Sequence, residues 1–340
     1  MGAQPEGTNP HPVTAPIAIA PANHAQTGVV RRLFPISPRQ REAAAQWLAI
    51  PDRTPRATRR ASSVVLVRDS REGVQTWLGY RGKDSPLGQV AFPGGSFEEY
   101  DDAAFVWHGP SVAQWAKKLE IEDHRLAKMW VVCAIRELFE ETGVLLAGAD
   151  SLSTAEIRGG ELMEARQAVA SQDLTFSELL DRRGWGLRTD LLRALSRWIT
   201  PDFMHRRFDT RFFAAVVPPG QAPSLLEGKG LWGEWVTAKV ALAERATSAM
   251  GDHVADALDA VSGARADDMD TRGQPLSHIT TPAVEAILEK IAATKGSVAY
   301  LSCTRALKTY APDLVKVGGE YLLDISTANA PEGGAITRGL

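Results

Sequence analysis

Three glutamates near the middle of the chain have a spacing that suits metal binding. Glu140 and Glu141 follow Glu137 by three and four residues, so a helix would place all three carboxylates on one face. Like charges at these spacings repel one another, whereas a bound divalent cation would reverse the sign of that cost. Clustered carboxylate oxygens suit a hard ion such as Mg²⁺ or Mn²⁺. The spacing therefore predicts a divalent-cation site formed by Glu137, Glu140 and Glu141.

Residues beside the glutamates could complete such a site. Arg136 can reach a neighbouring carboxylate and fix its orientation. Gly94 and Gly95 lie in a loop rich in glycine and proline, where the backbone can approach a phosphate or offer a carbonyl to a metal. For an isolated glutamate cluster, a solvated acidic patch is the more common explanation. Assigning chemistry therefore depends on the surrounding residues.

An amphipathic helix must carry the three glutamates. The pattern predicts a helix from about residue 125 to Thr142, ended by Gly143. One face of this helix is apolar and would pack on a sheet. That face contains Val131, Val132, Ile135, Leu138 and Phe139.

The run RELFEETGV at 136–144 resembles the second half of the Nudix box, G-x5-E-x7-R-E-U-x-E-E-x-G-U, where U is aliphatic. Gly95 matches the first glycine of that pattern. Asp101 stands six residues after Gly95, where the pattern has glutamate. Far more than seven residues then separate Asp101 from Arg136, so an insertion interrupts the box. Asp101 or Asp102 could replace the missing glutamate, or the site could work without it.

The interruption indicates one branch of the family. Together with WITP at 198–201 and RRFDTRFF at 206–213, it resembles the peroxisomal coenzyme A diphosphatases that have a split Nudix box. Gly88 and the glycine loop, with Arg81 upstream, also resemble part of the coenzyme A signature of related Nudix enzymes. The signature is incomplete, because its second arginine is missing. The resemblance covers roughly residues 60–245.

This resemblance implies an α/β fold: a Nudix α/β/α sandwich with a mixed sheet and helical insertions. It also implies metal-dependent hydrolysis of a diphosphate linkage, with Mg²⁺ or Mn²⁺ as the cofactor. The expected substrate is coenzyme A or acyl-coenzyme A, giving 3′,5′-ADP and (acyl-)phosphopantetheine. Glu137, Arg136 and Glu141 are the expected catalytic residues, with Glu137 acting as a ligand or as a general base. The expected metal ligands are Glu137, Glu140, Glu141 and the Gly94 carbonyl.

Five residues are candidates for contacts with the nucleotide substrate. They are Arg81, Phe92, Gly95, Arg207 and Arg211. The arginines are included because guanidinium gives bidentate hydrogen bonds to phosphate. An Arg-Asp pair that fixes a strand end would explain Arg207 and Arg211 equally well.

Two other functions remain open from the sequence. The first is a Nudix pyrophosphatase for ADP-ribose or a dinucleotide. The second is a non-catalytic Nudix-like module that binds nucleotides, although the intact glutamates argue against it.

Composition excludes some classes of partner. The formal net charge is -3, without the basic excess of nucleic-acid or membrane-surface binders. The sequence contains no apolar run of membrane-spanning length. It has two cysteines, which favours a reducing compartment. We therefore expect a cytoplasmic protein that binds a small-molecule nucleotide, and homodimer formation stays open.

The chain is predicted to have three regions. Residues 1–35 read as a disordered arm. Residues 36–247 form the Nudix domain, with insertions at 101–128 and 155–197, the second of them helical. Residues 248–340 form a helical extension and a polar tail. The strands predicted within the domain are 62–68, 76–81, 211–217 and 233–236.

Overall fold

The computed structural model describes most of the chain from Val29 to Ala328. The described residues are 29–30, 32–82, 85, 88–156, 160–226, 230–260, 271–303, 306–325 and 327–328. Most of the predicted N-terminal arm and of the polar tail lies outside them. Across these ranges, none of the helices has the length and apolar character needed to cross a membrane.

The strands lie in one large sheet and three small ones. Within the described residues they are β1 (Val29–Val30), β2 (Leu33–Pro35), β3 (Thr58–Ser70), β4 (Gly73–Tyr80), β5 (Val90–Ala91), β6 (Gly94–Ser96), β7 (Trp107–His108), β8 (Ala147–Gly148), β9 (Gly186–Arg188), β10 (Arg193–Ile199), β11 (Arg207–Val216), β12 (Gly233–Thr237), β13 (Lys308–Tyr310), β14 (Asp313–Val317), β15 (Glu320–Asp324) and β16 (Thr327–Ala328).

The helices are spread along the whole described chain. They are α1 (Arg41–Ala49), α2 (Val112–Leu119), α3 (His124–Thr142), α4 (Gly160–Ala170), α5 (Phe176–Arg183), α6 (Ala238–Ala243), α7 (Ala249–Asp259), α8 (Leu276–Ile279), α9 (Pro282–Ala292) and α10 (Ser297–Ser302). Short 3₁₀ helices cover Pro38–Gln40, Glu99–Asp102 and Thr189–Leu191.

The large sheet is mixed, which confirms the predicted α/β class. Its strand order is β12-β4-β3-β11-β10-β13, with β5 paired to β4 and β6 paired to β3. The pairs β3–β11 and β10–β13 are parallel, and the other pairs are antiparallel. The predicted strands 62–68 and 76–81 form the antiparallel pair β3–β4, joined by a turn at residues 71–72.

Both faces of the large sheet are covered, because alternate residues of β3 enter different cores. Val64 and Leu66 belong to the core formed with α3. Val65 and Val67 belong to the core formed with the C-terminal helices α7 and α9. Successive side chains of a strand point to opposite faces, so the sheet is the middle layer of a three-layer sandwich.

Residues 155–197 are only partly helical, which corrects the sequence prediction. Helices α4 and α5 form as expected, but β9 and β10 are strands. Leu192, Leu195 and Trp198 recur every third residue, a spacing that favours a helix. In the structure a register shift between Ala194 and Ser196 interrupts the alternation of β10. A bulge of this kind removes the period-two signal by which a strand is recognised.

The two insertions contact each other. Strand β7 from the first insertion pairs in parallel with β9 from the second, at Trp107 to Leu187 and His108 to Arg188. The short strand β8, which follows the glutamate helix, pairs with the other edge of β9. The insertions therefore form one small sheet rather than two independent loops.

The N- and C-terminal parts of the described chain also pair. Leu33–Pro35, which the sequence places in a disordered arm, forms β2 and pairs with β15. This corrects the end of the predicted arm. Backbone hydrogen bonds to a neighbouring strand order these residues despite their weak local pattern.

Candidate functional site

Helix α3 brings the three glutamates to one end of the sandwich. Asp123 caps its first turn, because the side-chain carboxylate accepts hydrogen bonds from the backbone N–H groups of Arg125 and Leu126 at 2.8 and 3.2 Å. The helix ends at Gly143, which adopts a left-handed conformation with φ of 75°. Its apolar stripe is buried against β3 and β11. This packing fixes the rotation of the helix and hence the direction of the acidic face.

The acidic face lines a cleft of about 510 Å³ beside strand β4. Glu137, Glu140 and Glu141 all contribute to its wall. Arg81, Leu231 and Trp232 also line the cleft. The cleft therefore places three carboxylates and a guanidinium around one space.

Arg136 orders two of the three glutamates from beneath. Its Nη1 donates to Oε1 of Glu137 and to Oε1 of Glu140, both at 2.9 Å. Its other nitrogens donate to both oxygens of Asp101, at 2.8 and 3.1 Å. The side chain is only 2% exposed. Burial would lower the pKa of Arg136, but the Asp101 and Glu137 carboxylates raise it above its ordinary value.

Arg81 holds the third glutamate. Its Nη2 donates to Oε2 of Glu141 at 2.7 Å and to the Phe92 carbonyl at 3.2 Å. The same nitrogen donates to the Gly94 carbonyl. Arg81 therefore links the glycine loop to the end of α3.

The two glycines of the loop lie against neighbouring groups: Gly94 against the backbone of β3, and Gly95 against the Glu137 carboxylate. A Cβ on Gly94 would stand 2.3 Å from the Ser62 carbonyl oxygen. A Cβ on Gly95 would stand 2.4 Å from Oε1 of Glu137. The Gly94 N–H donates to Oε2 of Glu141 at 3.1 Å. Glycine therefore lets the backbone reach the carboxylates directly.

The cleft favours protonation of its acids. Burial raises the pKa of Glu137 to about 8; repulsion from Glu141 and Glu140 adds to this, while Arg136 acts in the opposite direction. Burial also raises the pKa of Glu141, although Arg81 and the Gly94 N–H oppose the shift. If all of these carboxylates were ionised, their negative charge would exceed what the two arginines stabilise.

The donor set suits a divalent cation, although the carboxylates are not drawn together around one point. No ready-made cluster of three or more metal-binding side chains occurs in the described residues. Glu141 pairs with Arg81, whereas Glu137 and Glu140 share Arg136. Mg²⁺ does not need such a cluster, because it keeps several waters and takes one or two carboxylates plus substrate phosphates. The three carboxylates on one wall of the cleft meet that requirement.

Of the five candidate substrate residues, Arg81 lines the cleft, whereas Phe92, Gly95, Arg207 and Arg211 do not. The Phe92 side chain is 1% exposed and packs edge-on against Phe212 at 6.3 Å between ring centroids. Arg207 pairs with Asp202 and donates to backbone carbonyls. Arg211 donates to the Leu119 carbonyl at 2.6 Å. The structure therefore places these side chains in the core and at strand ends, away from the glutamates.

The aspartates proposed as substitutes for the missing glutamate serve as partners for cations. Asp101 is 1% exposed and holds Arg136. Asp102 pairs with Arg125 and with Lys128. Among the residues lining the cleft, neither aspartate is present.

Arg166 is a residue near the cleft that the sequence did not single out. Its Nε donates to the backbone carbonyl of Glu140 at 3.0 Å, and its Nη2 donates to the Ser224 carbonyl at 3.0 Å. Burial lowers the pKa of Arg166 to about 10, while Glu141 and Glu140 oppose the shift. Arg166 lies in a predicted insertion, and no local pattern marks a residue that acts through tertiary contacts.

One family model matches the chain. Residues 111–229 match the NUDT19 Nudix domain. This span contains the three glutamates and both insertion helices α4 and α5, but begins after the glycine loop. No curated protein matches the chain in sequence.

One solved structure shares the fold, and others match the chain less closely. A NUDIX hydrolase from Alicyclobacillus acidocaldarius is 21% identical, with a TM-score of 0.53 over 74% of this chain and 98% of that one. The NUDIX domain of Shewanella oneidensis NrtR, complexed with ADP ribose, is 14% identical over 58% and 86% of the two chains, with a TM-score of 0.30. A C. elegans Ap4A hydrolase is 12% identical over 60% and 96%, with a TM-score of 0.27. The first of these supports the three-layer Nudix architecture.

Proposed function

We propose that this chain is a Nudix hydrolase and that it cleaves a diphosphate linkage in a nucleotide derivative. The observation that carries this proposal is the common cleft of about 510 Å³ lined by Glu137, Glu140, Glu141 and Arg81. A cation and a diphosphate need adjacent acidic and basic groups in one space. The cleft offers both.

Each residue of the cleft has a distinct task in this proposal. Glu140 and Glu141 would hold a divalent ion, with Glu137 as a third ligand or as the base that accepts a proton from water. The Gly94 carbonyl would complete the protein's share of the ligands. When bound, Mg²⁺ or Mn²⁺ supplies positive charge that stabilises the charge developing on the diphosphate oxygens. Arg81 would contact a phosphate through the N–H groups that it does not use on Glu141 and the glycine loop.

Arg136 is a positioning residue rather than a catalytic one. It is buried, and its nitrogens are committed to Asp101, Glu137, Glu140 and a backbone carbonyl. It therefore fixes the direction of two carboxylates without reaching the substrate. This modifies the catalytic role expected for Arg136 from the resemblance.

The finer proposal is that the substrate is coenzyme A or acyl-coenzyme A. The match to the NUDT19 Nudix domain at residues 111–229 supports that branch of the family, as do Gly88 and Arg81 of the partial coenzyme A signature. The expected products are 3′,5′-ADP and (acyl-)phosphopantetheine.

A substrate panel tests both levels of the proposal. Purified protein would be incubated with Mg²⁺ and coenzyme A, acetyl-coenzyme A, ADP-ribose, NADH or a diadenosine polyphosphate, and the products separated by chromatography. We expect 3′,5′-ADP from the coenzyme A compounds. Turnover of ADP-ribose or NADH with coenzyme A intact would contradict the finer proposal alone. No turnover of any compound with Mg²⁺ or Mn²⁺ would contradict hydrolysis itself.

Calorimetric titration separates an enzyme from a binding module. Mg²⁺ should bind to the wild-type protein and bind more weakly to Glu141→Gln, because the variant loses one anionic ligand. Nucleotide binding with no metal effect would instead favour the non-catalytic module.

A further inference from the structure

A second cleft, of about 330 Å³, lies between the 3₁₀ helix Pro38–Gln40, the loop before β11 and the α8–α9 junction. We call it the basic cleft. Its functional groups are Arg39, Gln89, His205, Arg206 and His278, and the rest of its described wall is hydroxyl, amide, glycine or methionine. None of the three glutamates lines it. The basic cleft is therefore distinct from the candidate active site.

Positive charge dominates the basic cleft. No carboxylate occurs among the described residues that line it. A third arginine, Arg56, stands 3.2 Å from Nε2 of His205; because guanidinium only donates hydrogen bonds, His205 Nε2 accepts. Burial lowers the pKa of His278, and the charge of Arg41 lowers it further. These groups describe a cavity where an anion is favoured.

A buried amide provides the second sign of a ligand. Gln89 is only 8% exposed, and its Nε2 has no hydrogen-bond partner among the described residues. Buried amide donors are normally satisfied. Gln89 also lies in the wall of the basic cleft, so a turn of its side chain would offer this covered donor to an acceptor bound there.

The loop that carries Gln89 also borders the candidate active site. The Gln89 carbonyl accepts a hydrogen bond of 2.7 Å from the backbone N–H of Arg81, and the Arg81 side chain reaches Glu141. On its other side, Gly88 lies so close to Thr280 that an added Cβ would stand 3.1 Å from its Cα. One short loop therefore separates the two clefts.

We propose that the basic cleft binds a phosphomonoester group. The Arg206 guanidinium can offer paired donors to the oxygens of a phosphate dianion, and the Gln89 amide adds a neutral donor. The volume of the cleft, about 330 Å³, suits a small ligand. The phosphate has two sources: a second phosphate on the nucleotide substrate, which rests on the proposed function, or a separate phosphorylated molecule.

Direct binding of inorganic phosphate tests the proposal without turnover. Calorimetry at low ionic strength and without divalent ions should show saturable binding to the wild type. Arg206→Ala removes an exposed cationic side chain and should weaken binding at least tenfold without loss of folding. Gln89→Leu should also weaken it. Arg71→Ala, which removes an exposed arginine from the β3–β4 turn, is the matched control and should bind as the wild type does.

Two results would overturn the proposal. One is the absence of saturable phosphate binding, and the other is equal affinity in Arg206→Ala and Arg71→Ala. Either of these two results could be obtained with a fully active hydrolase, and normal phosphate binding could be obtained with an inactive one. Failure here is therefore distinguishable from failure of the proposed function.

Kinetics with two matched substrates identify the source of the phosphate. If the substrate carries it, Arg206→Ala should raise KM for coenzyme A several-fold, leave kcat unchanged, and leave KM for dephospho-coenzyme A as in the wild type. If a separate molecule carries it, added phosphate should change the rate with both substrates by the same factor. Either pattern supports a phosphate site in the basic cleft.

Discussion

Arg136 is a buried cation whose surroundings explain the candidate site's geometry. Asp101, Glu137 and Glu140 all accept hydrogen bonds from it. A buried charge without such partners is strongly destabilising. The departure at Asp101 from the Nudix pattern therefore has a structural meaning: the shorter acid sits within reach of Arg136 and holds it in place.

Replacing Asp101 should affect both stability and activity. Asp101→Asn leaves a buried guanidinium with a neutral partner, so we expect the free energy of unfolding to fall by about 3 kcal/mol. Glu137 should also lose its orientation, which lowers kcat. The neighbouring Asp102→Asn alters a more exposed ion pair and should cost much less. Urea unfolding of both variants measures the difference, and equal losses would remove Asp101 from its positioning role.

Removing one carboxylate charge should abolish most activity while leaving the fold intact. We expect Glu140→Gln and Glu141→Gln to lower kcat by on the order of 10²-fold or more, because each loses a charged ligand. Glu234→Gln, whose side chain instead contacts His253, serves as the control. Steady-state rates and circular dichroism check this. A Glu141→Gln variant with normal kcat would exclude Glu141 from the site.

At the scale of elements, the sequence predicted well those helices and strands whose signals lie within one segment of the chain. Helix α3 begins one residue before the expected position and ends at the expected Gly143, because its cap, apolar stripe and terminating glycine all lie within one segment. The hairpin β3–β4 is equally local. Strand β10 was missed because its bulge removes the alternation on which strand prediction depends.

The residues of the candidate site also divide into those that local sequence could place and those that depend on distant contacts. The spacing placed the three glutamates on one helix face, and the resemblance to the Nudix enzymes added Arg81; these four residues line one cleft. The directions of Arg207 and Arg211 could not be predicted, since both lie in β11 and their contacts depend on Asp202 and on α2. Arg166 was missed for a related reason: it reaches Glu140 across a distance of many residues in sequence.

The close approach of the glycine loop to α3 has a testable consequence. A methyl group at Gly95 would meet the Glu137 carboxylate, which is the far end of a flexible side chain. We therefore expect Gly95→Ala to push Glu137 aside and lower kcat at least tenfold, with little change in Tm. Gly296→Ala, where the added Cβ would have its nearest contact at 3.5 Å, is the control. Unchanged kcat in Gly95→Ala would mean that the position of Glu137 is unimportant.

At the scale of the whole molecule, the region after residue 247 is part of the core. Helix α9 buries Val284, Ile287, Leu288 and Ile291 against the large sheet, and β13 extends that sheet. Removing residues 248–340 should therefore abolish the cooperative unfolding transition seen by calorimetry. A truncated protein that unfolds cooperatively and keeps its activity would show that this region is a separate domain.

Glu285 on α9 should make stability depend on pH. Burial raises its pKa to about 7 from an ordinary value near 4.5, so the folded state holds a proton that the unfolded state releases. The stability that this bound proton contributes is complete below pH 4.5 and is lost as pH rises through 7. Glu285→Gln should therefore gain about 3 kcal/mol relative to wild type between pH 4.5 and pH 8.

Denaturant unfolding at several pH values measures this difference. The exposed Glu72→Gln is the matched control and should show no such dependence. A Glu285→Gln variant whose stability relative to wild type is the same at all pH values would contradict the shift.

The parallel pairing of β13 with β10 has a consequence during synthesis of the protein. Strand β10 leaves the ribosome long before residues 308–310 are made, so its outer edge stays uncovered for much of translation. Uncovered strand edges readily join other chains. Nascent chains that stall before Lys308 should therefore be the aggregating species, and chaperones would be needed most during that interval.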